Sequence, residues 1–362
     1  MGRQPRLLVL IGSGETAPQM TRGHRLIATR LASEGGRLKD VRAAVIDTPY
    51  GFQSNADALT TGLVQFFGTR VGMATTVASF RRSHDDEVGR EIAYARILDA
   101  DFVFAGPGSP SYALRVWSGT RIPDIFADKL RDGGALVLAS AAALTVGRLT
   151  VPVYEIYKAG VDPYWLPGLD VLSTIGINAA VIPHYDNREG GDHDTRFCFL
   201  GEPRLLALEA QMPDDVFILG LDEHTALIID LDAGQSSVVG RGNVTVRHHG
   251  QSDIFAAGAS IPLDQLRNAE PRPASARAAQ TPTAASIAAQ RSIDIERQLD
   301  DITGRARLVE PRIEAVLDVR RAARASGDFA TADAIRDRLL GLGVEIADSA
   351  DGKTDFRLPK QS

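Results

Sequence analysis

A serine at position 140 stands where an apolar strand turns into a helix. The apolar run 135–139 precedes Ser140 and the small residues 141–143 follow it. A serine at such a strand–turn–helix junction is typical of a nucleophile elbow, in which the sharp turn exposes the hydroxyl and requires small neighbours. Backbone N–H groups at the start of the helix can then stabilise an oxyanion. An ordinary N-cap serine, which also follows a strand and precedes a helix, is the alternative interpretation.

A nucleophilic serine requires a general base and an acidic group that orients the base. His184 follows the apolar pair 181–182 and Pro183, and it opens a polar loop. Glu223 lies in a turn between two further apolar runs. The order serine, histidine, acid is sterically open, because triads recur in several chain orders. His184 is alternatively a metal ligand or a structural histidine, and Glu223 alone is a weak signal because acids at strand ends are common.

The loop that begins at His184 is rich in side chains that can bind a divalent metal ion. Its candidate ligands are His184, Asp186, Glu189, Asp192, His193 and Asp194. A His-x-Asp pair followed by His-Asp can supply nitrogen and oxygen ligands. Against a metal, Gly190 and Gly191 make the loop flexible, and no cysteine or H-E-x-x-H pattern accompanies it. We therefore expect a polar lid over the active site, with no metal and no other cofactor.

The first half of the chain alternates short apolar runs with amphipathic segments, which predicts the elements that position these residues. The predicted strands are 6–11, 43–47, 72–79, 101–105 and 135–139, and the predicted helices are 19–33, 54–67, 85–98 and 122–131. Strands that are apolar throughout are buried on both faces. Their alternation with helices predicts right-handed crossovers and a doubly wound, mostly parallel sheet. Because ligands bind at the carboxyl ends of such strands, we expect the loops after residues 11, 47, 105 and 139 to line the site.

The pattern changes after residue 151 and suggests how the chain is divided. Strands predicted at 216–221, 226–230, 237–239 and 243–247 are separated by turns at 232–234 and 240–242. They predict antiparallel β-hairpins that complete a domain of residues 1–266. Residues 267–290 are rich in proline and alanine and predict a flexible linker. Residues 291–362 predict a small, mainly helical module with a strand at 344–346 and a hairpin turn at 351–352.

Composition narrows the class of protein further. The chain has 362 residues, of which 44% are hydrophobic and 24% are charged, and this excludes global disorder, collagen and a disulfide scaffold. A net charge of -6 argues against a general binder of polyanions. With one cysteine, Cys198, the chain forms no internal disulfide, which fits a reducing compartment. The apolar run 7–11 is too short for a secretory signal, so we expect a cytoplasmic protein.

Five segments, in this order, resemble the dipeptidase E and cyanophycinase family of serine peptidases. They are Gly12-Ser13-Gly14-Glu15, Gly106-Pro107-Gly108-Ser109-Pro110, Ser140 with its small neighbours, His184-Tyr185-Asp186-Asn187-Arg188, and Gly220-Leu221-Asp222-Glu223-His224-Thr225-Ala226. The resemblance covers residues 6–248 and implies the class I glutamine amidotransferase-like fold. It implies Ser140 as the nucleophile, His184 as the general base and Glu223 as the residue that orients the base. It also implies an oxyanion hole formed by the N–H groups of Gly108 and Ala141.

The same resemblance implies a short or Asp-containing peptide as substrate. Arg188 and Arg196 flank the loop of His184 and can pair bidentately with a substrate carboxylate, although each can equally be a solvated surface arginine. Ser109 in the glycine-rich loop and Tyr154 after the elbow helix are further expected substrate contacts. For Tyr154, simple packing is the alternative.

Cysteine usage separates two activities that this fold supports. A glutaminase of this fold carries a cysteine at the elbow, whereas Cys198 has no elbow sequence around it. This argues against glutamine amidotransfer, and Cys198 is expected to be a small buried residue.

The C-terminal module resembles the extreme C-terminal module of cysteinyl-tRNA synthetases, which lies near the tRNA anticodon in those enzymes. Segments 322–340 and 343–352 carry the resemblance. Nothing of a synthetase catalytic domain accompanies it, which excludes aminoacylation. Residues 291–362 contain 13 Lys and Arg against 14 Asp and Glu, whereas binding to phosphates requires clustered positive charge. We expect a tRNA or a protein partner for this module, or a homo-oligomer, and the charge favours docking to protein over tRNA.

Two functions therefore follow from the sequence. The first is a serine hydrolase, namely a peptidase that acts through an acyl-enzyme. The second is a non-catalytic binding protein on the same fold that uses the C-terminal module to dock tRNA or a protein partner. It is suggested by that module and by Leu138 and Ala142, which stand where the family elbow has glycines.

Overall fold

The structure is a computed structural model of the chain, and it forms two compact units, Met1–Ala274 and Ser275–Ser362. The residues it describes are 4–32, 35–82, 87–269, 317, 320, 321, 336, 345–348 and 354–357. The predicted linker from residue 270 onward and the predicted helices of the C-terminal module lie outside the described residues, apart from single positions. The strand predicted at 344–346 is present.

The strands and helices of the described residues have the following bounds. The strands are β1 (Arg6–Ile11), β2 (Arg42–Ile46), β3 (Ala74–Ala78), β4 (Phe102–Ala105), β5 (Gly134–Ala139), β6 (Leu149–Thr150), β7 (Leu166–Pro167), β8 (Ala179–Ile182), β9 (Phe217–Leu221), β10 (Thr225–Asp230), β11 (Gln235–Gly240), β12 (Asn243–His248), β13 (Gln251–Ala256), β14 (Ser260–Pro262), β15 (Glu345–Asp348) and β16 (Thr354–Arg357). The α-helices are α1 (Pro18–Leu31), α2 (Ala56–Gln65), α3 (Glu87–Asp99), α4 (Pro110–Trp117), α5 (Ile122–Asp132), α6 (Ala141–Thr145), α7 (Val153–Tyr157), α8 (Gly201–Glu209) and α9 (Leu263–Arg267). No helix among these described residues is both long and apolar enough to cross a membrane.

An eight-stranded sheet carries the first unit, with the strand order β14-β11-β10-β1-β5-β4-β2-β3. Its strands β1, β5, β4, β2 and β3 pair in parallel, whereas β10, β11 and β14 are antiparallel. This architecture confirms the predicted α/β class with a mostly parallel sheet. The helix predicted at 85–98 is α3, and its first two predicted residues, Asp85 and Asp86, lie outside the described residues.

Both faces of this sheet are covered, as the continuous apolar strands predicted. Within β1, Leu8 and Leu10 belong to one buried cluster together with residues of α3, α4 and α5. Leu7 and Val9 belong to the opposite cluster together with residues of α1 and α2. Successive side chains of a strand point to opposite faces, so the two clusters lie on the two sides of one sheet.

A second sheet has four strands in the order β13-β12-β9-β8. It differs from the prediction, which paired consecutive strands of this region as antiparallel hairpins. Only β10–β11 and β12–β13 are consecutive antiparallel pairs in that region, and β9 pairs instead with β8 and β12. Residues 240–242 carry the chain from one sheet to the other. At Gly240, which has φ +120°, a Cβ would lie 2.2 Å from the carbonyl oxygen of His224. The Asp222 carboxylate accepts a hydrogen bond from the N–H of Asn243 at 2.7 Å and fixes the start of β12.

A buried histidine in α1 gives the first unit a pH-dependent stability. His24 is 1% exposed and packs against the rings of Phe66, Phe67 and Phe102. Its Nε2 lies 2.9 Å from the carbonyl oxygen of Glu15, to which it donates. Burial lowers the pKa of His24 to about 4, so the ring is neutral in the folded chain at neutral pH.

We expect the free energy of unfolding to fall as the pH falls from about 6.5 to about 4, because the unfolded chain takes up a proton on His24 before the folded chain does. The loss attributable to His24 should be about 3 kcal/mol over that range. Urea unfolding at pH 7 and pH 4.5, followed by the fluorescence of Trp117 and Trp165, measures it. His24→Gln should lose less stability than the wild type, and an equal loss would contradict the assignment.

Candidate active site

Ser140 occupies a strained turn between β5 and α6. Its backbone has φ 50° and ψ -118°, a conformation that side chains other than glycine adopt only where the surroundings enforce it. Its N–H donates to the carbonyl oxygen of Ile11 at 3.0 Å, which anchors the turn to the end of β1. Leu138 and Ala142 are fully buried in the apolar core. The strained turn therefore forms with both of these side chains packed in the core.

Ser140, His184 and Glu223 form a continuous chain of hydrogen bonds. The Ser140 Oγ lies 2.9 Å from His184 Nε2, and His184 Nδ1 lies 2.9 Å from Glu223 Oε1. Because a carboxylate only accepts, Nδ1 carries the proton and Nε2 accepts from the serine. The His184 and Glu223 side chains are 20% and 27% exposed, so both reach the surface of the cleft. The hydrogen bond from His184 holds the pKa of Glu223 below its ordinary value.

The three residues come from different parts of the fold. Ser140 follows β5 of the large sheet, His184 follows β8 of the small sheet, and Glu223 lies between β9 and β10, which belong to different sheets. The site is thus assembled where the two sheets meet, at the carboxyl ends of β5 and β8.

Asn187 and Asp186 fix the position of Glu223, a role that the sequence analysis did not assign to either of them; it named Asp186 as a candidate metal ligand. The Asn187 Nδ2 donates to Glu223 Oε1 at 3.0 Å, and Asn187 is fully buried. The Asp186 carboxylate accepts from the Glu223 N–H at 2.7 Å. The only signal in the sequence was their place two and three residues after His184. Together they hold both the side chain and the backbone of Glu223.

The backbone of His184 is held by an unusual left-handed turn. Phe197, Cys198 and Phe199 have φ of 60°, 56° and 67°, and His184 itself has φ 49°. The Cys198 N–H donates to the His184 carbonyl oxygen at 3.1 Å, and the Phe197 N–H donates to the Tyr185 carbonyl oxygen at 2.9 Å. Left-handed conformations cost about 1–2 kcal/mol per residue, so the surrounding contacts must enforce this turn.

Those contacts include two arginines that lie against the ring of Phe197, of which Arg247 is buried and Arg196 is exposed. The guanidinium carbons of Arg196 and Arg247 lie 4.9 and 5.6 Å from its centroid. Arg247 is buried and donates to Glu209 at 2.7 Å and to Glu202 at 2.8 Å. The left-handed turn is therefore held by a network that connects α8 and β12 to the backbone of His184.

Cys198 lies inside this turn and is 4% exposed, which confirms the predicted small buried residue. Burial raises the pKa of its thiol to about 12, so the thiol stays protonated and is not a nucleophile at neutral pH.

The glycine-rich loop after β4 is hydrogen-bonded both to the loop after β2 and to the start of α6. The Ser109 N–H donates to the carbonyl oxygen of Pro49 at 2.8 Å and is therefore engaged, which leaves Gly108 as the donor of this loop. Gly108 has φ +144°, and a Cβ there would lie 2.0 Å from the Pro49 carbonyl oxygen. Ala141 is the first residue of α6, so its N–H has no partner within the helix. The roles of Gly108 and Ala141 as oxyanion donors stay predictions.

The predicted substrate contacts Ser109, Tyr154 and Arg196 all have hydrogen-bond partners within the protein. The Ser109 hydroxyl accepts from the Tyr112 N–H at 3.2 Å and caps α4. The Tyr154 hydroxyl donates to the Gly108 carbonyl oxygen at 3.2 Å while the side chain stays 45% exposed, so Tyr154 holds the oxyanion loop from the rim of the cleft. Arg196 is paired bidentately with Asp194 at 2.9 and 2.8 Å.

Arg188 is exposed and makes no ion pair with any residue that the structure describes. Its role as a substrate contact stays a prediction.

The alternative metal site is not assembled. Among residues 4–32, 35–82 and 87–269 no three His, Cys, Asp or Glu side chains converge in a way that could hold a metal ion. Asp186 is engaged with the backbone of Glu223, and Asp194 with Arg196. His193 stacks on Tyr157 with ring centroids 6.2 Å apart.

The solved structure of a peptidase from an acI-B1 Actinobacterium has the fold of most of this chain. The two superpose with a TM-score of 0.57 at 20% sequence identity, over 72% of this chain and 98% of the peptidase. This likeness concerns the fold. It confirms the α/β class, and the neighbouring structure is that of a peptidase, the class of protein that the five segments resemble.

The C-terminal module has relatives of a different kind. Residues 307–357 match the model of the cysteinyl-tRNA ligase anticodon binding domain. The chain is 51% identical over 43 residues to the cysteine–tRNA ligase of Desulfovibrio desulfuricans, and 44% identical over 63 residues to that of Paenarthrobacter aurescens. These matches cover 12% and 17% of this chain, but only 9% and 13% of the two ligases. The predicted resemblance of the module is confirmed, while the chain spans about a tenth of the length of the curated relatives it matches.

Proposed function

We propose that the first unit is a serine peptidase that cleaves short or Asp-containing peptides through an acyl-enzyme. The observation that carries this proposal is the unbroken hydrogen-bonded chain from Ser140 through His184 to Glu223, with the half-buried serine in a strained turn. Glutaminase chemistry is disfavoured because the chain's cysteine is buried away from the elbow. With one cysteine the chain forms no internal disulfide, which suits a reducing compartment, and a cytoplasmic location is part of the proposal.

The mechanism follows from the contacts. The Ser140 Oγ attacks the peptide carbonyl carbon while His184 Nε2 takes the hydroxyl proton. Glu223 stabilises the imidazolium that forms, and the N–H groups of Gly108 and Ala141 bind the oxyanion. His184 then returns the proton to the leaving amine, which breaks the peptide bond and leaves Ser140 acylated. A water molecule, activated by His184 in the same way, hydrolyses the ester.

Covalent labelling tests this assignment directly. A fluorophosphonate should react with the folded chain, and mass spectrometry of the digest should find the adduct on Ser140. Chain unfolded in urea serves as the control and should not react, because activation of the serine depends on His184. An adduct on another residue, or none on the folded chain, would overturn the proposal.

For the oxyanion hole, we expect Gly108→Ala to lower kcat on a peptide substrate by about 10²–10³-fold, the usual cost of losing one such donor. The added Cβ would meet the Pro49 carbonyl oxygen at 2.0 Å and force the loop to move. Steady-state kinetics measures the effect, and KM should change far less than kcat.

Gly119→Ala is the matched control, because Gly119 also has a positive φ of 75° but a Cβ there meets nothing within 4 Å. It shares the backbone strain without the collision and should retain activity. Equal losses in the two variants would show that strain alone, rather than displacement of the oxyanion loop, is responsible.

We propose further that residues 307–357 dock a macromolecular partner. The match to an anticodon binding domain favours tRNA. The balanced charge of residues 291–362, with 13 basic and 14 acidic side chains, favours a protein surface, including that of a second copy of this chain.

Light scattering and tRNA titration separate these partners. If the module docks a second copy, the full chain should be oligomeric and a chain ending at residue 266 should be monomeric. If it docks tRNA, only the full chain should bind, and the logarithm of the binding constant should fall steeply with salt. If the full chain is monomeric and binds no tRNA, neither a second copy nor tRNA is the partner of this module.

A further inference from the structure

A row of aromatic rings leads away from His184, the proposed general base. The ring of Phe199 lies 6.1 Å from the imidazole of His184, centroid to centroid, and the ring of Tyr157 stacks on Phe199 at 5.1 Å with 29° between the planes. His193 stacks on Tyr157 in turn, with the centroids 6.2 Å apart and the planes 16° apart. Phe199 and Tyr157 are half-buried and His193 is exposed, so the row reaches from the triad to the surface. We call Phe199, Tyr157 and His193 the aromatic wall.

Strained backbone places the Phe199 ring beside His184. Phe199 has φ 67°, in the left-handed region that bulky side chains rarely adopt. Its N–H donates to the carbonyl oxygen of the buried Thr195 at 2.9 Å, which helps to hold this conformation. Strain of this kind persists only where the surroundings enforce it, and it clusters at functional sites. The proposed mechanism gives the ring of Phe199 no task.

Helix α7 places the aromatic wall at one end of the site. Tyr154 and Tyr157 are three residues apart and therefore lie on one face of this helix. The Tyr154 hydroxyl donates to the Gly108 carbonyl oxygen at 3.2 Å, whereas Tyr157 stacks on Phe199 next to His184. This face thus extends from the proposed oxyanion loop to the proposed base. A bound peptide spans the same two points, because its carbonyl oxygen binds to the oxyanion loop and its leaving nitrogen takes a proton from the base.

We propose that the aromatic wall binds the side chain of the first residue of the leaving peptide and selects a large apolar side chain there. This inference rests on the proposed function. The leaving nitrogen must come within about 3 Å of His184 Nε2, and the β-carbon of the leaving residue lies two bonds, or about 2.5 Å, further on. That side chain therefore begins at about the distance from the imidazole at which the Phe199 ring lies. Aromatic rings bind apolar side chains by excluding water, and they bind aromatic ones in stacked or edge-to-face arrangements as well.

Kinetics with matched peptides tests this selection. A peptide that the wild-type chain hydrolyses is synthesised in two forms, with either phenylalanine or alanine directly after the cleaved bond. Both forms yield the same acyl-enzyme, so a difference in kcat/KM arises during acylation, before the leaving peptide departs. We expect the wild type to prefer the phenylalanine form by about 10-fold, as for an apolar side chain in a partly open site. No preference, or a preference for alanine, would overturn the proposal.

Variants of the aromatic wall should remove this preference. We expect Phe199→Ala to reduce it to less than about 3-fold, and Phe199→Leu, which keeps an apolar side chain, to retain most of it. Tyr157→Ala removes a ring that lies outside the left-handed turn and should also reduce the preference, so the test does not depend on the folding of Phe199→Ala. A full preference in both alanine variants would assign the selection to other residues and contradict the proposal.

Phe52→Ala is the matched control. Phe52 is an exposed aromatic residue that stacks on Tyr112, with centroids 4.9 Å apart, and it is not part of the aromatic wall. Its removal should leave the preference between the two peptides unchanged. An equal reduction in Phe52→Ala and Phe199→Ala would show that the preference does not depend on the rings beside His184.

The rate of fluorophosphonate labelling separates selection from a structural role. This reagent loses fluoride instead of a peptide, so Phe199→Ala should label Ser140 at about the wild-type rate. Slower labelling, together with an equal loss of kcat/KM for both peptides, would show that Phe199 only positions His184 and would overturn the selection alone. No labelling of Ser140 and no hydrolysis of any peptide by the wild type would overturn the proposed function and this inference together.

Discussion

Replacing Ser140 with alanine should lower kcat for peptide hydrolysis by about 10⁴–10⁶-fold and abolish fluorophosphonate labelling. Alanine keeps the Cβ at the strained position, so the elbow should form, but no other side chain is hydrogen-bonded to His184 Nε2 among the described residues. Any residual rate should come from binding and from the oxyanion donors Gly108 and Ala141. Single-turnover kinetics with a chromogenic ester, together with gel fluorescence after labelling, measures both losses.

Ser173→Ala is the control for this result. Ser173 is exposed, and its hydroxyl donates to the carbonyl oxygen of Asp170, so its removal should leave labelling and hydrolysis intact. Labelling that persists in Ser140→Ala would assign the nucleophile to another residue. Labelling absent from both the wild type and the variant would instead favour the non-catalytic binding protein that Leu138 and Ala142 suggested.

The four loops expected from the sequence to line the site do meet there, and each has a separate physical task. The loop after β1 receives the elbow N–H at Ile11, and the loop after β2 supplies the Pro49 carbonyl oxygen that orients the glycine-rich loop. The loops after β4 and β5 carry Gly108 and Ser140. This was predictable because a parallel sheet places all its carboxyl ends on one edge.

The loop after β2 is itself fixed by hydrogen bonds to the buried carboxylate of Asp47. Asp47 is fully buried and accepts hydrogen bonds from the hydroxyl of Ser79 at 2.8 Å, the N–H of Phe80 at 3.0 Å and the guanidinium of Arg81 at 2.6 Å. These three donors tie the end of β2 to the segment that follows β3. The Pro49 carbonyl oxygen, two residues on, is thereby held where it can accept from Ser109.

The second sheet and the left-handed turn were not predictable from the sequence. Hydrophobic periodicity locates strands but does not select partners, so β9 was assigned to a hairpin although it pairs with β8 and β12. A positive φ at three successive residues other than glycine has no signature in residue type, because it depends on enforcement by distant contacts. Here the contact between Arg247 and Glu209 spans 38 residues of sequence.

Residue type and chain position also predicted only some of the side chains at the site. Residue type and position after a strand were enough to select Ser140, His184 and Glu223. In the structure the Ser140 Oγ lies 2.9 Å from His184 Nε2, and His184 Nδ1 lies 2.9 Å from Glu223 Oε1. Arg188 and Arg196 were equivalent as residues, and only the position of Asp194 distinguishes the paired arginine from the one without an ion pair among the described residues. Asn187 became visible only through its hydrogen bond to Glu223.

Glu223→Gln should lower kcat by about 10³–10⁴-fold, the second largest effect expected. The Glu223 Oε1 accepts from both His184 Nδ1 and Asn187 Nδ2, so a glutamine oxygen can keep both hydrogen bonds and the tautomer of His184. What the variant loses is the negative charge, which stabilises the imidazolium in the transition state. Because hydrogen bonding lowers the pKa of Glu223, the wild-type carboxylate is charged throughout the neutral pH range in which the rates are compared.

Glu155→Gln is the control, since the Glu155 carboxylate accepts from the Ser111 hydroxyl at 3.0 Å and does not contact the triad. Stopped-flow measurement of acylation should show the loss in Glu223→Gln and not in Glu155→Gln. An unchanged rate in Glu223→Gln would mean that Glu223 positions His184 only by hydrogen bonding. A loss as large as that of Ser140→Ala would mean that the glutamine has turned its amide group toward His184 Nδ1, which forces the proton onto Nε2 and deprives Ser140 of its base.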